Sequence, residues 1–381
     1  MLISMGGIFM KKVFTLLVSL MLALSLAACS SGTTTEETAP AEEKTEEAAT
    51  ETATSGEAAT AGALWYQFAD TFIANAKNNL DNISKADGRI KVTAADSQND
   101  VGNQTNNMAN FLNQGVDYII INNINNAATD EIAEEITASG AVAIFANTSA
   151  PSDAEFEKNP NVYLVTSAAE QSGTIMGEAL AKYWNEHPEA DRNGDGKLNY
   201  VMLLGLETHY DTIVRCDYSL AALEDAGIEV ESVGDHVVAN YARAEAMDKV
   251  QALLANYSDD IEAVIACNDD MALGAIEALK AAGFFGDGEF IPVCGVDATE
   301  AGRAAIADGT MLCTALNNPI TLGKTVYKLM TVLEAGEPLT QEAIGFDDVK
   351  VDGQKCWIQY TGITKDNLDV AEYSVDDVAI D

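Results

Sequence analysis

From about residue 61 onward, short apolar runs alternate with longer stretches in which apolar side chains recur every three or four positions. The apolar runs predict strands at Ala61–Tyr66, Lys91–Ala95, Tyr118–Ile121, Val142–Ala146, Val162–Val165, Tyr200–Gly205, Glu229–Val233, Ala263–Ala266, Pro292–Val296 and Leu312–Leu316. The helical pattern is clearest over Met271–Ala282, where Leu273, Ile276 and Leu279 recur at intervals of three. Continuous apolar strands separated by helices predict parallel sheets covered on both faces. Ten strands exceed one compact unit, so two α/β lobes are expected.

The first 60 residues follow a different pattern. Lys11-Lys12 precede the run Val13–Ala28, whose polar interruptions are only Thr and Ser. That run is short of the roughly 20 residues a membrane span needs, and it suits the core of a signal peptide. It ends in Leu26-Ala27-Ala28-Cys29-Ser30, which resembles the lipobox of bacterial lipoproteins. The resemblance implies cleavage before Cys29, lipidation there, and residues 1–28 as signal. Residues 30–60 hold eight Glu against one Lys and no aromatic side chain. Such a segment buries too little apolar area to offset its ordering entropy, so 29–60 reads as a disordered acidic tether holding an extracytoplasmic body.

Charge narrows the function. Of 381 residues, 21 are Lys or Arg and 60 are Asp or Glu, a formal charge of −39. Nucleic acid is excluded as a partner, because phosphate binding needs clustered cations. His187, His209 and His236 are too scattered for a multi-histidine zinc site. Beyond Cys29 there are five cysteines, 216, 267, 294, 313 and 356; an odd number cannot all pair, and Cys267, Cys294 and Cys313 sit in apolar runs. No structural disulfide is expected.

Several strands end in a polar residue: Asp96, Asn122-Asn123, Asn147, Asn268-Asp269, Asp297 and Asn317-Asn318. In open α/β sheets the ligand crevice lies outside the carboxyl ends of the strands. Each such residue taken alone is equally a helix cap or a turn. As a set, amides that donate and accept, with carboxylates that accept, suit a ligand covered in hydroxyls. Asp211 and Arg215 fall at i and i+4 if a helix begins near Asp211, and Arg215 would supply a rigid fork of donors. Phe72 and Tyr241 offer flat apolar faces.

Asp191-Arg-Asn193-Gly-Asp195-Gly196-Lys197-Leu-Asn199 has calcium-loop spacing, with side-chain oxygens at positions 1, 3 and 5 and a backbone carbonyl from Lys197 at position 7. Position 12 is Met202 in place of the usual Glu, so a carboxylate must arrive from elsewhere. The loop reads as structural.

Together, Asp96-Ser-Gln-Asn-Asp100, His209-x-Asp211-x-x-x-Arg215, Cys267-Asn268-Asp269, Gly295-Val-Asp297 and Leu316-Asn317 resemble the galactose/glucose-binding family of type 1 periplasmic binding proteins, the sugar receptors of bacterial ABC transporters. The resemblance runs from about Gly62 to Leu368. It implies two Rossmann-like lobes joined by a three-segment hinge near Ser167, Asn317 and Trp357, with 61–167 plus 317–357 as the first lobe and 168–316 plus 358–381 as the second. It places Asp70, Phe72 and Asn147 in the first lobe's share of the sugar site. It assigns His209, Asp211, Arg215, Asn268 and Asp297 to the second lobe and Asn317 to the hinge. Phe72 and Tyr241 would sandwich a pyranose, although the family usually has Trp where Tyr241 stands. The missing calcium ligand falls on Glu262. The implied partners are D-galactose or D-glucose, a permease with its ATPase, or a chemoreceptor to which the loaded protein is presented, with the membrane reached only through the lipid anchor. Another monosaccharide is the alternative ligand.

A repressor of this fold would need a helix-turn-helix where the signal stands. A glycoside hydrolase would need two carboxyl groups flanking a scissile bond. Asp70 and Asp211 would have to serve as that pair, and nothing in the sequence marks them so. The chain is expected not to be an enzyme.

Overall fold

The computed structural model describes residues 58–207, 209–286 and 289–380. The signal, Cys29 and the tether up to residue 57 lie outside the described residues. The five opening strands are β1 (Ala59–Trp65), β2 (Ile90–Asp96), β3 (Tyr118–Ile121), β4 (Val142–Ala146) and β5 (Val162–Ser167). The chain then builds β6 (Leu198–Leu204), β7 (Val230–Ser232), β8 (Val237–Val238), β9 (Ala263–Ala266), β10 (Val293–Val296) and β11 (Cys313–Leu316). It returns for β12 (Val349–Asp352) and β13 (Lys355–Ile358) and crosses again for β14 (Thr361–Ile363).

These strands form two sheets. The first has the order β12-β13-β5-β4-β3-β1-β2; the second runs β14-β11-β10-β9-β6-β7, with β8 beside β6. All pairings are parallel except β12–β13 and β11–β14. The fold is thus α/β with two mostly parallel sheets, and the apolar runs have the reason expected of them. In β3, Ile119 and Ile121 enter one core cluster while Tyr118 and Ile120 enter the cluster on the other face. Both faces are covered, so both sets are apolar.

The strands absent from the sequence reading are those without such runs. Val349-Lys-Val-Asp352 alternates apolar and polar, as an edge strand does, and Gly353 at φ 59° turns the chain back into β13. At the other end, β1 begins at Ala59, whose Cα partner is Ile90, so Ala59 and Thr60 belong to the sheet rather than to the tether. β1 also carries Gly62 because a Cβ there would lie 2.4 Å from the Phe111 ring.

One boundary needs correction. The 358–381 segment does not stay with the second lobe. Ala371 and Tyr373 pack on the second core, but residues 375–380 return to the first. Asn79, fully buried in the helix Thr71–Asp87, needs partners for its amide, and Nδ2 donates to the carbonyls of Val375 (3.1 Å) and Asp377 (2.8 Å). Val378 and Ile380 then close over the first core. The three expected crossovers follow Ser167, Asn317 and Ile358, close to their expected positions, and the return after Tyr373 adds a fourth passage between the lobes.

Candidate functional site

The carboxyl ends of both sheets face a cleft, the place where open α/β sheets bind ligands. All ten expected residues line it: Asp70, Phe72, Asn147, His209, Asp211, Arg215, Tyr241, Asn268, Asp297 and Asn317. The lobes meet at its rim, where Thr71 Oγ1 donates to Asp270 Oδ2 at 2.7 Å.

Local structure sets each side chain. Asp70 caps the helix Thr71–Asp87 through Oδ1, which accepts from Ile73 N at 3.0 Å; its Oδ2 accepts from the Tyr66 hydroxyl at 2.5 Å. Asn268 caps Asp269–Ala281 with Oδ1 and donates through Nδ2 to Tyr241 O at 3.3 Å. Capping and lining the cleft are therefore the same act for these two residues, since one side-chain oxygen holds the helix start while the residue faces the crevice. The other strand-end residues separate. Asn122 ties Tyr66 N to Ala146 O and Asn147 O, Asn318 caps the helix Pro319–Glu334, and Asp96 accepts from Phe68 N and Gln98 N outside the cleft lining. Asp269 points inward to Thr299 and Thr314.

Arg215 is the most heavily tied group. Nη1 donates to Cys267 O at 2.7 Å, and Nη2 donates to Asp211 Oδ2 (3.1 Å) and Tyr360 Oη (3.0 Å). The Asp211–Arg215 pair is buried on both sides, unlike a surface ion pair, and belongs to one face of the helix Tyr210–Asp225 as the i, i+4 spacing requires. Four buried polar atoms in the cleft lining have no protein partner: Arg215 Nε, His209 Nδ1, Asn317 Nδ2 and Asn126 Oδ1. Burial pushes His209 below its usual range, which favours the neutral imidazole, in which one ring nitrogen donates and the other accepts. Burial pushes the Asp70 carboxyl up and the Asp297 carboxyl well up, with Arg215 opposing the latter.

Backbone strain gathers here too. Asn147 (φ 50°), Tyr241 (φ 59°) and Asp297 (φ 109°) all lie in the left-handed region that most side chains avoid. Tyr241 is pinned from below: its hydroxyl is 2.7 Å from Thr212 Oγ1, and its ring lies where a Cβ on Gly205 would come within 2.0 Å of Cζ.

Asn122 and Asn123, both in the strand-end set, complete the lining with Tyr66, Ile73, Ile124, Asn126 and Leu206, which the sequence did not single out. Tyr66 and Leu206 follow the ends of β1 and β6, so the strand-end rule would have found them had it not been restricted to Asn and Asp.

The calcium-loop residues form a separate cluster before β6. Glu262, 1% exposed, reaches into the loop, and its carboxylate accepts from the backbone N–H groups of Arg192 (2.7 Å), Asn193 (3.4 Å) and Asn199 (2.8 Å). Asp191 accepts from Gly194 N and Gly196 N; Asp195 accepts from Lys197 N and from the amides of Asn193 and Asn199. Among the described residues no three His, Cys, Asp or Glu side chains converge at metal-ligating spacing. The all-oxygen donor set and the arrival of Glu262 at the loop fit a hard cation, whereas the present contacts are hydrogen bonds.

Comparison with known proteins gives a consistent picture. The sequence profile of a family described as "Periplasmic binding protein domain" matches residues 62–338. The chain is 32% identical over 308 residues to the D-galactose/methyl-galactoside binding periplasmic protein MglB of Haemophilus influenzae, covering 81% of this chain and 90% of that one. It is 29% identical to a xylitol-binding protein of Mycolicibacterium smegmatis, over 84% of this chain and 81% of the relative. The fold is similar to an ABC transporter solute binding protein of Bacillus halodurans with bound myo-inositol, at a TM-score of 0.64 and 26% identity, covering 82% and 96% of the two chains.

Proposed function

The chain belongs to the periplasmic binding protein family, and from that premise we propose that it captures D-galactose or D-glucose between its two lobes and delivers the sugar to an ABC transporter permease. A member of this family is an extracytoplasmic binding protein, not an enzyme. The observation that carries the sugar reading is the cleft's mixed inventory of hydrogen-bonding groups. Arg215 Nε and Asn317 Nδ2 donate, neutral His209 does either, and Asp70, Asp211 and Asp297 accept. Hydroxyl groups, each a donor and an acceptor, answer that mixture, while Phe72 and Tyr241 offer apolar faces to the C–H side of a ring. Lobe closure excludes water, which strengthens each bond and makes the closed form the signal a membrane partner reads.

A second reading, a pentose or cyclic polyol as ligand, is favoured by Tyr241. Its ring is smaller than the family's usual Trp and its hydroxyl is already engaged by Thr212. Thermal-shift screening against D-galactose, D-glucose, D-ribose, xylitol and myo-inositol separates the readings: a hexose should give the largest rise in Tm. Arg215→Lys, which keeps the charge and loses the fork, should abolish that rise.

The Asp191–Asn199 loop is proposed to hold Ca²⁺ with Asp191, Asn193, Asp195, Asn199, Glu262 and the Lys197 carbonyl, its chemistry being to neutralise a knot of carboxylates and fix the loop before β6. The lipobox supports lipid anchoring at Cys29, which mass spectrometry of the membrane fraction would test through a diacylglyceryl-modified N-terminal peptide.

A further inference from the structure

The three crossovers differ in what they hold. The first and second are joined by the Ser167–Asn317 hydrogen bond. The third carries Gln359 and Tyr360 from β13 to β14. Gln359 N donates to Asp348 O at 2.8 Å, and its Oε1 accepts from Gln171 Nε2 at 3.0 Å. Tyr360 N donates to Gln171 Oε1 at 3.0 Å. Its ring is buried against the second core, and its hydroxyl accepts from Arg215 Nη2.

Of the acceptors that hold Arg215, Asp211 and Cys267 O belong to the second lobe; Tyr360 alone stands in a crossover segment, between β13 and β14. With Nη2 shared between Asp211 and Tyr360 and Nη1 bound to Cys267 O, the planar fork has one orientation, with the buried Nε–H left unpaired. We infer that Tyr360 is a positioning residue: its hydroxyl, carried on the third crossover, holds the Arg215 guanidinium toward the cleft and so links ligand capture to the hinge. This deepens the sugar-capture reading and rests on it. The Tyr360 ring packs in the core of the lobe that carries Arg215 while its backbone runs through the crossover, so a rotation that shifts the crossover against that core moves the hydroxyl relative to the fork. A ligand that favours the anchored Arg215 therefore favours the hinge arrangement that keeps Tyr360 in range.

The test uses Tyr360→Phe, which keeps the ring and removes the oxygen. The control is Tyr118→Phe, which removes another buried hydroxyl, bonded to Glu334, from the opposite end of the first sheet. Calorimetric titration with D-galactose and D-glucose should show a Kd raised about tenfold or more in Tyr360→Phe and unchanged in Tyr118→Phe. The Tyr360→Phe variant should also keep an apo Tm within a few degrees of wild type. In an Arg215→Lys background, Tyr360→Phe should not lower the apo Tm further, because the fork it positions is gone. A Kd within twofold of wild type overturns the assignment. A sugar-free reading keeps the two ideas apart should wild type bind neither hexose. By ¹⁵N NMR of arginine side chains, rotation about Cζ–Nη of Arg215 should be slow in wild type and faster in Tyr360→Phe. Unchanged rotation contradicts the positioning role whatever the ligand.

Discussion

Ser167 Oγ donates a 2.7 Å hydrogen bond to Asn317 Oδ1, joining the ends of the first two crossovers across 150 residues of sequence. The bond fixes which face of the Asn317 amide looks into the cleft: the oxygen is taken, so the buried Nδ2 is the group presented. Ser167→Ala should release that choice. The expected result is a three- to tenfold weaker sugar affinity by calorimetry, with a stability loss of about 1 kcal/mol by denaturant titration. Unchanged affinity would mean that Asn317 is oriented by something other than Ser167.

Gly205 and Tyr241 make a second pair whose sizes are matched. A methyl on Gly205 would overlap the Tyr241 ring, whose hydroxyl Thr212 holds in place. Gly205→Ala should push the ring from its stacking position and weaken sugar binding about tenfold, read as a rise in Kd. In a Tyr241→Ala background the same substitution should change Kd little, because the ring it displaces is gone.

Asp269 should give the protein a pH dependence that has nothing to do with the ligand. Burial raises its carboxyl to about 7, against the bonds from Thr314 and Thr299 that lower it. A raised acid favours the folded state when protonated, so its contribution is full below about pH 4, where the unfolded chain is protonated as well. It is lost as pH rises toward 7, up to roughly 4 kcal/mol across the window. Comparing wild type with Asp269→Asn by thermal unfolding from pH 4 to pH 8 isolates this residue from the nearby Asp270 and Asp297. The Tm advantage of wild type should shrink as pH rises, and a constant difference would place the Asp269 carboxyl in its ordinary range.

For the proposed cation loop, adding Ca²⁺ to chelator-treated protein should raise Tm by several degrees, and Asp195→Ala or Glu262→Gln should remove that response while leaving sugar Kd within about twofold. A Tm identical in calcium and in chelator would leave the loop as a hydrogen-bonded turn.

Much of the fold was legible because parallel strands covered on both faces leave continuous apolar runs such as Tyr118–Ile121. What escaped was written in other ways. β12 alternates as an edge strand does, β13 is only four residues long, β8 has only two, and the return of residues 375–380 depends on the amide of Asn79, a partner nearly 300 positions earlier. That the ten expected residues line one cleft was legible because strand ends point at a crevice and because the motifs resemble a known family. Tyr66, Leu206 and Tyr360 were not, since an aromatic or aliphatic residue after a strand reads as core. Arg215 was expected to meet ligand; that Tyr360 of the hinge holds it is visible only in three dimensions.

The most direct test is calorimetric titration of the body, residues 57–381, with D-galactose and with D-glucose. One-to-one binding is expected at micromolar Kd or tighter, about −8 kcal/mol, to at least one of them, and it should be lost in Arg215→Lys. No heat with either sugar, or binding that survives Arg215→Lys, would contradict hexose capture in this cleft.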